Sequence, residues 1–449
     1  MHAMREQQQN VSVASGTSRR MQLRYGFNEI DGWWHMSSGP HAKEIQRRLR
    51  LMDTKVVRVF VFHPSVPEPA KDWHSFAATL QGVLDIGAVP MVTFAKFAPP
   101  FDNERNIDTF VARCEEIVWG CIEQWGSAVK DWYWCIWNEP NNLIIGGDVS
   151  YEQYREIYRR VSARILPLLR PHLNGAQAKI GGPSIDGTHR PYWMDWISRL
   201  LDDFGDDALG FVSWHRYGDW RPAVSSESLN IELWGTPDSP NYEAFERLLM
   251  AQTPAYESRA RGVARLLRGR SVENICGELN AISHHENYYT LGLNQNVFGA
   301  AYYASALINL LRGGAQLEMR WTATGHNDAY GLITLDGQPT PACFAKQLFV
   351  QCVRTGDFIR FPENRAGPEV DAVVSGEGER ISGVFVNTAR QPLRLSPAQW
   401  DSGLEKCATM LKLDGKTGGR VVRAPFDGTL LIEGYGLAAV TNTTDIVID

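Results

Sequence analysis

The stretch Asp131-Trp-Tyr-Trp-Cys-Ile-Trp-Asn-Glu-Pro-Asn141 decides the fold. Six apolar residues separate Asp131 from Asn138, and five of them are aromatic or β-branched. So short and apolar a run predicts a buried strand. It stops on Asn138, Glu139 and Pro140, and Pro140 has no N–H with which to continue a central strand. A carboxylate is thereby delivered to the end of a dry strand, beside a side-chain amide. For an isolated glutamate the ordinary reading is a solvated strand end. Within Trp137-Asn138-Glu139-Pro140-Asn141 the reading is catalytic.

On either side of this stretch the chain alternates between apolar runs and helical spacing. Strands are expected at 22–28, 55–62, 89–94, 132–137, 179–183, 209–217, 272–280 and 316–322. Between them lie helical patterns. One carries the apolar face Phe110, Cys114, Ile117 and Cys121, and another opens on the capping box Ser150/Gln153. A loop at 218–240, bearing Trp220 and Trp234, precedes a sixth helical region ending near Leu267. Eight strand-then-helix units predict an α/β fold of the (β/α)8 TIM-barrel type. An open doubly wound sheet alternates similarly, but no Gly-x-Gly-x-x-Gly follows the first strand, and eight units is the number that closes.

From about residue 361 the texture changes to short strand-like runs broken by Gly, Asp and Pro. The expected organisation is a disordered polar leader at 1–20, a catalytic barrel at 21–358 and an accessory β-sandwich at 359–449.

Composition narrows the function. The chain has 449 residues, 44% of them hydrophobic, and a formal net charge of −6, which offers no basic field for nucleic acid. No apolar run is long enough to span a membrane, so neither nucleic acid nor membrane is an expected partner. Seven scattered cysteines, none with zinc-finger spacing, suit a reducing compartment, and no signal peptide is evident in the leader; a cytoplasmic location is the expectation. No HExxH or clustered His/Asp spacing points to a metal, and no cofactor is expected.

In such a barrel the chemistry sits at the carboxyl ends of the strands. The seventh strand, Val272-Glu-Asn-Ile-Cys-Gly-Glu-Leu-Asn280, places Glu278 at that end, whereas Glu273 lies at the amino end and is a poor candidate. Glu139 and Glu278 can then face one another across the mouth. Two carboxylates about 5 Å apart are what a retaining glycosidase needs.

The fourth-strand motif with a glutamate closing the seventh strand resembles clan A of the retaining glycoside hydrolases. Gly181-Gly-Pro-Ser184 and Phe211-Val-Ser-Trp-His-Arg-Tyr217 narrow the resemblance to glycoside hydrolase family 39, which holds β-xylosidases, α-L-iduronidases and exopolysaccharide glycosidases. The resemblance implies a carbohydrate substrate, with Glu139 as acid/base, Glu278 as nucleophile and Asn138 on the sugar 2-hydroxyl. It also gives a role to Arg58, an odd residue inside the apolar run Val57-Arg58-Val59. It would brace the nucleophile, the alternative being a structural ion pair.

His215 and Tyr217 end the sixth strand; a lone His is usually a satisfied core residue, but two polar rings at alternate positions favour the cleft. Asn28, His63, Lys96 and Trp321 sit at strand ends as further subsite candidates, Trp321 as a stacking platform. The arginines at 259, 261, 265, 268 and 270 fit a solvated helix face. The expected substrate is an oligosaccharide or bacterial exopolysaccharide, with an exo-acting β-xylosidase as the alternative. A transglycosylase shares every residue named, and a non-catalytic sugar-binding barrel would be favoured by loss of either glutamate.

Overall fold

The structure, a computed structural model, describes residues 18–29, 37–61, 72–96, 103–143, 145–188, 192–218, 240–283, 292–324, 329–362, 369–395 and 402–449. Most of the leader, His63 and the loop carrying Trp220 and Trp234 lie outside the described residues.

A two-residue strand, β1 (Arg19–Arg20), precedes eight parallel strands: β2 (Arg24–Glu29), β3 (Thr54–Val61), β4 (Val89–Phe94), β5 (Tyr133–Ile136), β6 (Lys179–Asp186), β7 (Phe211–Tyr217), β8 (Glu273–Asn280) and β9 (Leu317–Trp321). Each pairs with the next, and β9 returns to β2 from Leu317 beside Arg24 to Trp321 beside Asn28. The sheet is therefore a closed barrel and not an open doubly wound one. Around it run α1 (Ala42–Leu51), α2 (Trp73–Asp85), α3 (Glu104–Trp125), α4 (Tyr151–Leu169), α5 (Trp193–Ala208), α6 (Pro240–Met250), α7 (Pro254–Leu266), α8 (Val297–Gly313) and α9 (Pro341–Cys352). The sixth helical region is thus two helices, α7 restarting on Pro254, whose missing N–H costs nothing in a first turn.

The near-continuous apolar strands follow from burial on both faces. On β3, Val57, Val59 and Val61 pack outward against the helices, while Val56, Arg58 and Phe60 point into the barrel. The lower interior is filled by Val56, Met91, Tyr133, Cys135, Phe211, Ile275, Leu317 and Met319. Above this plug the inward positions turn polar: Asn28, Arg58, Thr93, Ser213 and His215, all fully buried. An apolar floor and a polar upper layer leave the carboxyl end as the place for chemistry.

After α9 come β10 (Phe358–Arg360), β11 (Val370–Glu377), β12 (Arg380–Asn387), β13 (Leu393–Leu395), β14 (Thr409–Leu413), β15 (Val422–Pro425), β16 (Leu430–Ile432) and β17 (Leu437–Thr441). They form a seven-stranded antiparallel sheet, ordered β1-β10-β11-β12-β17-β14-β15, and a separate ribbon β13-β16. Alternation splits its side chains in two. Val373, Val384, Val386, Leu411 and Leu437 join the barrel's core, whereas Val374, Phe385, Ala438 and Val440 pack with Leu393, Leu395, Leu430 and Ile432 of the ribbon. Asp371 fastens this sheet to α8, accepting from Ser305 Oγ at 2.5 Å, Asn309 Nδ2 at 3.1 Å and Arg312 Nη1 at 2.7 Å.

The expected leader needs correction at its end. Arg19 and Arg20 pair with Ile359 and Phe358, so the edge strand β1 of the C-terminal sheet comes from in front of the barrel. Arg259 is a second correction. It turns from the expected solvated face onto the Trp193 ring, 5.3 Å from its centroid.

Candidate active site

Strand alternation is broken beside both glutamates, and this brings Asn138 as well as Glu139, and then Glu278, to the mouth. On β5, Trp134 and Ile136 face the helices, and Tyr133 and Cys135 face the barrel. Regular continuation would turn Trp137 inward and Asn138 outward. Instead Trp137 (φ 75°) and Glu139 (φ 47°) adopt left-handed backbone. Trp137 packs outward, edge-on to Phe110, while Asn138 and Glu139 both point inward.

Left-handed backbone costs a non-glycine residue roughly 1–2 kcal/mol. Fixed bonds hold it in place here: Trp137 N to Phe94 O at 2.8 Å, Asn138 N to Ala95 O at 2.9 Å, Glu139 N to Ser184 O at 2.9 Å, and Trp137 Nε1 to Gly146 O at 3.0 Å.

On β8 the device is a bulge. Trp214 pairs with Cys276 but His215 pairs with Glu278, so Gly277 is an extra residue. Ile275 faces inward and Cys276 outward, and the bulge turns Glu278 inward where alternation would send it to the helices. The bulged position must be glycine, because a Cβ there would lie 2.2 Å from Ser213 Oγ.

Glu278 is almost fully buried. Its Oε1 accepts from Arg58 Nη1 at 2.8 Å and its Oε2 from the Tyr217 hydroxyl at 2.7 Å. Arg58 has no exposed surface; it also donates from Nε to Thr93 Oγ1 (2.9 Å), from Nη1 to Asn28 Oδ1 (3.1 Å) and from Nη2 to Asn138 Oδ1 (2.7 Å). One rigid fork thus fixes the nucleophile candidate and its neighbouring amide together. Burial raises the Glu278 carboxyl above the ordinary carboxylate range, and the Arg58 guanidinium and the Tyr217 hydroxyl pull against that rise. Burial and the facing Glu278 keep Tyr217 a protonated donor, its pKa held well above the ordinary phenol value.

Glu139 has different partners. Its Oε1 lies 2.7 Å from His215 Nδ1, and its Oε2 accepts from Asn142 Nδ2 at 3.1 Å. His215 is wholly buried, and burial pushes its pKa down to about 4. It is therefore a neutral imidazole at neutral pH, whose Nδ1 also stands 3.4 Å from Glu278 Oε2. Donor atoms of Glu139, His215 and Glu278 all lie within 4.8 Å of one another.

The other sequence candidates divide. Asn28 is fully buried, its amide N–H groups taken by the carbonyls of Gly277, Met319 and Arg320 at 2.9, 3.1 and 3.2 Å. It holds Arg58 in place instead of offering the expected subsite contact. Arg58 likewise acts through Glu278 and Asn138, not as a surface for sugar. Trp321 is partly open at the mouth, edge-on to Phe60 at 5.7 Å. Lys96 follows Ala95 at the end of β4, half-exposed. His63 lies outside the described residues.

Sequence reasoning missed Asn142, Thr93, Phe60 and Thr188. Phe60 lies under the Arg58 guanidinium, 4.4 Å from its carbon, and Thr188 Oγ1 accepts from Tyr217 N at 2.9 Å. Asn142 had a signal, since it directly follows the motif that ends on Asn141. Phe60 alternates inward on the strand of Arg58, so period-two counting from Arg58 could have found it; Thr93 lies on the next strand, beyond such a count.

No family model matches the chain. A β-xylosidase from Geobacillus stearothermophilus is 31% identical over 162 residues, which is 35% of this chain and 29% of that protein. The chain is thus matched over less than a third of that relative's length. Among solved structures, a glucosidase from Croceicoccus marinus superposes with a TM-score of 0.63 at 15% identity, covering 96% of this chain and 98% of that one. A family 39 β-xylosidase from Caulobacter crescentus gives 0.61 at 14% identity, with 96% and 97% covered. At such identities the likeness shows the fold, barrel and accessory sheet together. The resemblance to family 39 glycoside hydrolases therefore stands on a partial sequence match and a full-length match of architecture.

Proposed function

We propose that this protein is a retaining glycoside hydrolase in which Glu278 attacks the anomeric carbon and Glu139 serves as acid, then base. The observation that carries this is two inward carboxylates with oxygens within 4.8 Å and unequal donors. Glu278 receives a guanidinium and a phenol, as an anion that must stay ionised requires; Glu139 faces a neutral imidazole and an amide. The separation suits a double displacement through a covalent glycosyl-enzyme, since an inverting pair stands about 6.5–9.5 Å apart to admit a water.

In the first step Glu278 Oε bonds to the anomeric carbon as the bond to the leaving oxygen breaks, and Glu139 gives that oxygen its proton. In the second, Glu139 takes a proton from water, whose oxygen displaces Glu278. His215 Nδ1 follows the proton: it donates to the Glu139 carboxylate, or accepts from the carboxylic acid in its other tautomer. Arg58 holds Asn138 by Oδ1, leaving the amide N–H groups as the end for a sugar 2-hydroxyl.

The name of the sequence relative favours a β-xyloside-like glycone. An oligosaccharide or exopolysaccharide chain is the second reading, and it rests on Trp220 and Trp234 in the sequence stretch 218–240. Glu139, His215 and Glu278 have the spacing of a cation site, but both oxygens of Glu278 already accept from Arg58 and Tyr217, with which a metal would compete.

Hydrolysis of a panel of aryl β-glycosides and oligosaccharides, with product configuration followed by NMR, tests the proposal. Initial release of the retained anomer is expected. An inverted product, or no turnover anywhere in the panel, overturns it.

A further inference from the structure

The loop after β5 departs from ordinary surface composition. Between Asn141-Asn142 and Gly146-Gly147 it carries only aliphatic residues, and Leu143 is 66% and Ile145 48% exposed. Water-facing leucine and isoleucine at neighbouring positions of one loop mark a contact surface more often than they serve the fold.

The described residues of this loop are hydrogen-bonded to one another and to the acid. Asn142 N donates to Glu139 O at 2.8 Å, Gly146 N and Gly147 N both donate to Asn142 O at 2.9 Å, and Val149 N donates to Pro140 O at 2.7 Å. Gly146 passes so close to the Glu139 carbonyl that a Cβ would lie 1.7 Å from its oxygen. The Asn142 side chain links the acid to the loop tip: its Nδ2 donates to Glu139 Oε2 at 3.1 Å and its Oδ1 accepts from Ile145 N at 3.2 Å. The residue that touches the proton donor is therefore the one that shapes the aliphatic tip. On the neighbouring strand β6, Asp186 fixes the same loop through Asn141, accepting from its Nδ2 at the main-chain carbonyl (3.0 Å) and donating from its main-chain N to Asn141 Oδ1 (3.0 Å).

Chemistry then assigns the side of the cleft. A general acid faces the leaving oxygen, so whatever is built around Glu139 meets the leaving group, while Asn138 and Tyr217 meet the glycone. We infer that Leu143 and Ile145 form an apolar leaving-group subsite, and that the preferred substrates are glycosides of an alkyl or aryl alcohol. This rests on the glycosidase reading and specifies its substrate class.

The test uses ethyl and hexyl glycosides of whichever sugar the aryl panel identifies, below micellar concentration. The two alcohols have nearly the same acidity, so kcat/KM compares binding of the chain in the transition state. Burial of each added CH2 is worth about a fourfold gain at most, so the hexyl-to-ethyl ratio is expected to exceed about tenfold. In Leu143→Ser/Ile145→Ser the ratio is expected to fall towards one, and Leu143→Ser alone should give an intermediate value. A wild-type ratio near one overturns the subsite, as does a high ratio retained in a folded double variant. Failure to hydrolyse any glycoside is the separate outcome that sinks the glycosidase reading itself.

Discussion

Strand β8 begins on Glu273 and carries Glu278 near its other end, and each carboxylate receives an arginine and a tyrosine. Glu273 Oε2 accepts from Arg24 Nη2 at 2.6 Å and from Tyr133 OH at 2.9 Å; Glu278 accepts from Arg58 at 2.8 Å and Tyr217 at 2.7 Å. What differs is the surroundings. The Glu273 side chain is 22% exposed at the amino end, below the apolar plug. Glu278 is buried, with an oxygen of a second carboxylate within 4.8 Å. An arginine and a tyrosine on a glutamate are thus a structural clamp in one place and a catalytic setting in the other. The second carboxylate and the exclusion of water make the difference.

The largest contrast comes from cutting each carboxylate in turn. Glu278→Gln is expected to lower kcat by on the order of 10⁴ or more, and Glu273→Gln to leave it within a few-fold. Stability should move the other way. A carboxyl raised by burial holds its proton in the fold at pH values where the unfolded chain has released it. Its ionisation therefore costs stability as pH rises through that window. At pH 7, Glu278→Gln is expected to melt at or above the wild-type temperature and Glu273→Gln below it; the reverse order in calorimetry would refute the account of the two sites.

Removing the second carboxylate comes next. Glu139→Ala should lose about 10²–10⁴ in kcat/KM on a poor leaving group, less on a dinitrophenyl glycoside, and regain turnover with azide, which forms a glycosyl azide. Absence of rescue, with sugar binding intact, contradicts the acid/base role.

The arginines sharpen the comparison further. Arg58→Gln should cost on the order of 10²-fold at pH 7, since a buried carboxylate loses its charge-assisted bond. Because the lost donor favoured the anion, the acid limb of kcat/KM against pH should also move upward. Arg24→Gln should lower the melting temperature and leave that limb in place.

Smallest is the tyrosine pair. Tyr217→Phe should cost roughly tenfold, with a slight upward shift of the acid limb, and Tyr133→Phe nothing measurable in rate. With its pKa at about 4, His215 stays neutral across the limb and should not define it.

The barrel was legible because its strands are buried on both faces, which leaves an apolar run ending in a polar residue. Glu139, Glu278, His215 and Tyr217 were found that way, and Arg58 as a charge inside an apolar run. What the residue order hides is direction. Period-two counting through Trp137 and through Gly277 sends Asn138 and Glu278 to the wrong face, and only the left-handed backbone and the bulge restore them. Asn28 shows a second limit: a polar strand end can be consumed by main-chain carbonyls as readily as it can face a ligand. The accessory sheet was harder. The strands β10 and β13 are three residues each and are held by partners elsewhere in the sheet and ribbon, so no local pattern announces them.

The pairing of β1 with β10 carries a consequence for how the chain folds. Arg19 meets Ile359, and Met21 exchanges main-chain bonds with residues 356 and 357, so the accessory sheet straddles the whole barrel in sequence. During synthesis the first strand of that sheet leaves the ribosome early and has no partner until the eighth barrel strand and α9 have emerged. That edge cannot pair until β10 has been made, so a chain cut short before residue 358 keeps the barrel strands but leaves β1 without its strand partner.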